Sequence, residues 1–197
     1  MKKLFFPLVL IVSGCAVQPQ HYDLSTSGAF PPIQTKQNIT NLEVSAFKYE
    51  PHVRISQNTI SHLGCLPCQA DGSTPGLVFA SPINEIVQAE VTNALDEVII
   101  PTANPECKLG ATIHMAAWDV MDGDSIVDIT YTLTKQDQIK FIKRVRGHHD
   151  SGLFETHKIE RFLAKASRQS AGLLVTNNEF LQALKINCSK TKKTAAL

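Results

Sequence analysis

Apolar and polar positions alternate, then shift to a helical period, then alternate again. Leu42, Val44 and Ala46 share one side of an extended segment, and Val53 and Ile55 repeat the two-residue step. Two strands broken near Pro51 are expected. Residues 61–76 are rich in Gly, Pro and Ser and read as a loop, and Leu77-Val78-Phe79 reads as a short strand end. Ser81 as N-cap and Pro82 at the first helical position predict a helix start. Ile83, Val87, Val91, Ala94, Leu95 and Val98 then recur on one face, with Glu85, Gln88, Asn93 and Glu97 mostly opposite. That helix ends before Pro101, and a loop runs on to Cys107.

Lys108 to Val120 alternates, with Leu109, Ala111, Ile113, Met115 and Ala117 on one side. Asp122-Gly123 is a hairpin signal. Val127, Ile129, Tyr131 and Leu133 alternate against Asp128, Thr130 and Thr132, and a polar turn at Lys135 to Gln138 leads to Ile139, Phe141, Lys143 and Val145. This predicts a three-strand antiparallel meander with one wet face. Gly147 to Thr156 reads as a loop. Ile159, Phe162, Leu163, Ala166, Leu173 and Leu174 mark a second long helix, and Asn177 caps a short third one carrying Phe180, Leu181 and Leu184. The order predicts an α+β two-layer sandwich: an antiparallel sheet, with its C-terminal meander, packed by two long helices. One domain is expected over residues 37–188, followed by a basic, frayed tail at 189–197.

The N-terminus carries an address. Met1-Lys2-Lys3 precedes the apolar run Leu4 to Val12, which is too short to span a bilayer as a helix. Val12-Ser13-Gly14-Cys15 follows. These four residues resemble the lipobox of bacterial lipoproteins, in which small residues fit the peptidase pocket and the thiol is acylated. Residues 1–14 are thus expected to be a signal peptide and Cys15 the lipidation site. Residues 15–36 are expected to form the lipidated cysteine and a flexible tether, with Pro19, Pro31 and Pro32 among its turn formers. Ala16 and Val17 rather than Asp follow the cysteine, and the resemblance implies transport onward to the outer membrane.

With Cys15 acylated, Cys65, Cys68, Cys107 and Cys188 remain. An even number of thiols in an exported chain suggests two disulfides. Three pairings are possible, and we favour Cys65–Cys68 with Cys107–Cys188. A redox-active Cys65-Leu66-Pro67-Cys68 needs a helix N-terminus at its first thiol, and turn residues follow Cys68 instead. A four-cysteine zinc site is disfavoured by the wide split of the second pair.

Composition narrows the function classes. In 197 residues, 43% are hydrophobic and 19% charged, so a core is affordable and disorder is not indicated. The formal charge is +1, and losing Lys2 and Lys3 with the signal leaves 17 cations against 18 anions. A strongly basic nucleic-acid binder is excluded, and no nucleic-acid partner is expected. His148, His149, Asp150, Glu155 and His157 form the densest metal-like cluster, yet their spacing suits a solvated loop better than a zinc or copper site. Asp119, Asp122, Asp124 and Asp128 lack the spacing of a calcium loop. No GxSxG elbow or glycine-rich phosphate loop occurs, so no catalytic residue is assigned and no enzyme is expected. Metal and cofactor are expected to be absent, apart from the covalent lipid on Cys15. Lys140, Lys143, Arg144 and Arg146 make a basic stripe on one strand, with Lys135 nearby. We read the stripe first as protection of a sheet edge. Its alternative is a patch for lipid head groups, a glycan polymer or an acidic partner. Trp118 reads as a core side chain.

The helix SPINEIVQAEVTNAL, the segment DSIVDITYTL with the basic strand IKFIKRVRG, and the stretch IERFLAKASRQSAGLLVTNNEFLQAL together resemble YajG-like bacterial lipoproteins over roughly residues 77–185. The cysteine-rich segment 61–76 has no place in that pattern. The architecture is also similar to the PqiC group of auxiliary lipoproteins of ABC-type transporters. The resemblance implies a periplasm-facing binding or assembly module with no catalytic motif. The expected function is a non-enzymatic outer-membrane lipoprotein, an accessory or structural subunit of an envelope complex with a membrane anchor and a protein partner. The alternative is an auxiliary lipid-binding lipoprotein of an ABC-type lipid transport system. Oligomeric state is left open.

Overall fold

A computed structural model of the chain describes residues 33, 38–51, 55–63, 77–119, 124–150 and 159–189. In chain order the elements are β1 (Ile39–Thr40), β2 (Leu42–Tyr49), β3 (Thr59–Leu63), β4 (Leu77–Val78), α1 (Ile83–Asp96), β5 (Ile99–Ile100), β6 (Cys107–Asp119), β7 (Ser125–Lys135), β8 (Gln138–His149), α2 (Ile159–Val175) and α3 (Asn178–Asn187). The expected meander is β6-β7-β8, antiparallel throughout. On the far side of β6 lie β2 along its first half and β3 along its second, both parallel to it. The sheet is therefore mixed, with β4 added antiparallel to β3. A separate two-stranded parallel pair joins β1 to β5. Leu109, Ile113, Val127, Ile129, Tyr131 and Leu133 are fully buried on the sheet face against which the helices pack. The architecture is the expected α+β one, with an open sheet.

Three bulges explain where the two-residue period misleads. A bulge places two residues opposite one and reverses the face of everything beyond it. In β2 the shift between Val44 and Phe47 turns Phe47 and Tyr49 inward and leaves Ala46 exposed. In β6 the shift between Ile113 and Met115 brings Ala116 and Trp118 into the main core cluster in place of Met115, while Ala117, 1% exposed, is buried outside that cluster. In β8 the shift pairs Leu133 with Phe141 and Thr134 with Ile139, with Lys140 between them. Ile139, expected in the core row, is 60% exposed as a result.

Other departures have local causes. Ile55 is not in a strand, and Val53 lies outside the described residues. The strand that follows Pro51 is β3, which overlaps the stretch read as loop because its ladder comes from parallel pairing with β6. Pro82 is itself the N-cap of α1 and extended, with no side-chain cap bond, so the helix starts one residue later than Ser81 suggests. Leu173 is 48% exposed, because the buried stripe of α2 runs through Leu163, Ala166, Ser170, Ala171 and Leu174. Gly147 to His149, read as loop, continue β8. Asn177 does cap α3, its Oδ1 accepting from the Phe180 N–H at 3.0 Å. The β7–β8 turn is Gln136-Asp137 with φ of 50° and 61°, a two-residue hairpin of the right hand for twisted strands built without glycine.

α2 seats against the meander at Gly147. A Cβ there would lie 1.9 Å from the Ala166 carbonyl oxygen, so only glycine admits the helix at this height. The Tyr131 hydroxyl and Ser170 Oγ, both buried, hydrogen-bond at 3.0 Å beside this contact.

Candidate functional site

Cys107 opens β6 and Cys188 is the C-cap of α3, and they are joined in a disulfide with Cα atoms 5.7 Å apart. Asn41 takes the left-handed conformation (φ 60°), which Asn tolerates better than most side chains. Its carbonyl accepts from Cys107 N–H and its Nδ2 donates to the Cys188 carbonyl at 3.0 Å. Lys135 at the end of β7 donates to Glu106 Oε2 at 2.6 Å and to the Asn187 carbonyl at 2.7 Å, closing the last turn of α3. Four remote chain segments thus meet at one end of the sheet. Cys15, Cys65 and Cys68, and with them the lipidation site and the second expected disulfide, lie outside the described residues, as do residues 1–32 and 190–197.

The chain arriving from the N-terminus meets the helix layer at Ile33. Its N–H donates to Glu97 Oε2 at 2.8 Å, just after α1. Glu97 Oε1 accepts from Arg168 of α2 at 2.6 Å, and Arg168 is 6% exposed. The Glu97 carboxylate, itself held by a nearly buried guanidinium, therefore ties the end of α1 to α2 and to the incoming segment. Arg168 was legible only as an irregular position in the helical stripe, as was Glu90, a fully buried carboxylate of α1 flanked by Val87 and Val91.

The four cations of the basic stripe share β8 but not one face. Lys143 pairs in register with Tyr131, on the side of the helices, and its Nζ donates to Glu179 of α3 at 2.8 Å. Arg144 and Arg146 lie on the opposite, open face. Arg144 grips Asp128 of β7 through Nε at 2.8 Å and a second nitrogen at 3.0 Å. That carboxylate raises the pKa of the guanidinium above its ordinary value. Lys140 occupies the bulge and donates to Gln138 Oε1. On the same open face His114 Nε2 and Thr130 Oγ1 are 2.8 Å apart.

The backbone of β8 differs from that of β2. Both are sheet edges among the described residues. At β2, the outward N–H of Phe47 donates to Gln88 Oε1 at 3.1 Å and its carbonyl accepts from Asn84 Nδ2 at 3.4 Å, so side chains of α1 close that edge at Phe47. At β8, the outward His148 N–H is closed by Gln169 Oε1 of α2. Alternation then directs the N–H and C=O groups of Ile142, Arg144 and Arg146 outward as well. Ile142 is 55% exposed and the Arg144 side chain 54%.

Of the acidic and imidazole residues disfavoured as metal ligands from their spacing, Asp122, Glu155 and His157 lie outside the described residues. His148 Nε2 meets Asp124 Oδ2 at 2.8 Å, and Asp128 is held by Arg144. No group of three or more His, Cys, Asp or Glu side chains suited to a metal ion occurs among the described residues. No helix among them is long and apolar enough to cross a membrane.

No family model matches the chain, and no curated protein does. Among solved structures, the fold is similar to protein XCC0632 of Xanthomonas campestris, of family DUF330, at 15% identity and a TM-score of 0.54, over 73% of this chain and 86% of that one. An uncharacterized protein aligns at 13% identity and a TM-score of 0.49, over 81% and 98%. A protein of Caulobacter crescentus named provisionally as a lipoprotein aligns at 11% identity and a TM-score of 0.33, over 53% and 82%. At these identities the Xanthomonas protein supports the fold alone.

Proposed function

We propose that the chain is an outer-membrane lipoprotein facing the periplasm, held by a lipid on Cys15, that acts without catalysis as an accessory or structural subunit of an envelope complex. The observation that carries this reading is the Cys107–Cys188 disulfide. Such bonds persist in oxidising compartments and are rare in the bacterial cytosol. It therefore agrees with the export address read from Lys2 to Cys15. A lipid chain on Cys15 and a tether of residues 16–32 would hang the domain from the membrane at the Ile33–Glu97 junction. Surfaces away from that junction are then free to meet a partner.

Palmitate labelling and membrane fractionation of cells test the reading. Wild-type chain should label and float with the outer membrane, and Cys15→Ala should lose the label. Labelling that survives Cys15→Ala, or wild-type protein found unlabelled in the cytosol, overturns it. Stoichiometric phospholipid extracted from the purified protein would instead favour the auxiliary lipid-transport role.

A further inference from the structure

We infer that the outer edge of β8, from Ile142 to Arg146, is a strand-addition site for an extended acidic segment of another envelope protein. The inference rests on the envelope reading for where the partner is met, and on the edge itself for how it binds. Edge strands with open hydrogen-bonding groups are templates for further pairing, and folds normally close them. Here Gln88 and Asn84 close the β2 edge at Phe47 and Gln169 closes the end of β8, while among the described residues none bonds the outward groups of Ile142, Arg144 and Arg146. The side chains that would ordinarily guard such an edge are drawn away from it. Lys143 turns to Glu179 on the helix side, and Arg144 lies along the sheet on Asp128.

The chemistry of the occupant follows from charge. β8 carries Lys140, Lys143, Arg144 and Arg146 and no carboxylate, and among the described residues only Glu179 and Asp128 pair with these cations. An incoming strand with a carboxylate opposite Arg146 would set it beside the arginine of the open face that Asp128 does not hold, where opposite charges on neighbouring strands attract. Ile142 offers an apolar contact in the same row. A second copy of β8 is disfavoured, because antiparallel pairing about Arg144 would set arginine against arginine.

The test is photocrosslinking in cells producing the full chain, with benzoylphenylalanine in place of Ile142, and in place of Lys48 on β2 as the closed-edge control. Mass spectrometry should map the position-142 product to an acidic, extended segment of another envelope protein, absent from the position-48 product. Arg144→Pro removes one outward N–H and leaves the β7 ladder in place, whereas Arg144→Ala removes the same cation and keeps the N–H. The proline variant should cut crosslinking about fivefold relative to the alanine variant, the worth of roughly one hydrogen bond. Thermal unfolding of both variants checks that each is folded, and Arg146→Glu, which keeps the backbone unchanged, should also lower the yield. Equal crosslinking in the proline and alanine variants overturns the proposal. So does a position-142 product with lipid, with residues 16–32 of this chain, with a second copy, or no product at all. Palmitate labelling of the same cells separates the two readings. A labelled protein without an edge product defeats the edge and spares the lipoprotein reading, and an unlabelled protein with the acidic product does the reverse.

Discussion

Gly147→Ala is the sharpest test of how the helix layer is held to the sheet. The added methyl would sit 1.9 Å from the Ala166 carbonyl oxygen and 2.9 Å from its carbon. An unstrained carbon–oxygen contact needs about 3.3 Å, so α2 and β8 must part by more than about 1 Å. Overpacking of this kind costs about 1–3 kcal/mol. The same movement stretches the Tyr131–Ser170 bond from 3.0 Å, and both hydroxyls are buried. Leaving them unsatisfied adds about 1–3 kcal/mol. A loss of about 4 kcal/mol is therefore expected, against a typical domain stability of about 5–15 kcal/mol. For a domain of this size that is a fall of about 10 °C in melting temperature. Urea unfolding of the oxidised protein, read by tryptophan fluorescence and circular dichroism, measures it. Gly172→Ala is the matched control. Its Cβ would meet only Ile33 Cγ2 at an ordinary 3.9 Å, and a helix interior gains about 0.5–1 kcal/mol from the change. A loss at Gly147 below about 1 kcal/mol, or an equal loss at Gly172, would show that the close approach does not set the height of α2.

Four further outcomes are expected. Replacing Cys107 and Cys188 together by Ser reopens a loop of sequence separation 81, which the chain-entropy account puts at about 4–5 kcal/mol of lost stability, and unchanged unfolding midpoints would contradict it. Glu97→Ala removes both the Arg168 pair and the acceptor for Ile33, so a loss of about 1–3 kcal/mol and faster proteolysis near Ile33 should appear together, the partial exposure of Glu97 keeping the cost at that level. Burial pushes the phenols of Tyr49 and Tyr131 well above their ordinary pKa, so the folded state holds protons that the unfolded chain sheds above about pH 10. Stability should be level below that pH and fall above it, and Tyr131→Phe should flatten the fall; an equally steep fall in that variant counts against the burial argument. Asp137→Gly should gain about 0.5–1 kcal/mol by relieving one of the two left-handed turn residues, measured by the same urea titration.

Much of the fold was legible because burial imposes a period. Val127, Ile129, Tyr131 and Leu133 alternate without interruption, and all four are fully buried in β7. Ile83, Val87, Val91, Ala94 and Leu95 repeat at helical spacing, and all five are buried in α1. The expected export signal and lipidation site are likewise read from local order, since the enzymes that would act on Cys15 recognise a few adjacent residues. The Cys107–Cys188 pair was one of three possible partitions and needed the fold to select it.

Bulges were not legible. Nothing in the residues around Ala46, His114 or Lys140 announces an extra residue, because a bulge arises from the fit between two strands. For the same reason β3 was hidden. Its partner is the far half of β6, more than 50 positions along the chain. The character of the basic strand was likewise undecided by order alone. Four cations in seven residues are visible in the chain, but Lys143 faces the helices and Arg144 the open sheet only because β8 is pleated against β7. Sequence determined which residues prefer burial and which carry charge. Tertiary structure decided which edge groups are closed among the described residues, since hydrogen-bond closure depends on side chains such as Gln88, Asn84 and Gln169, which arrive from helices remote in the chain.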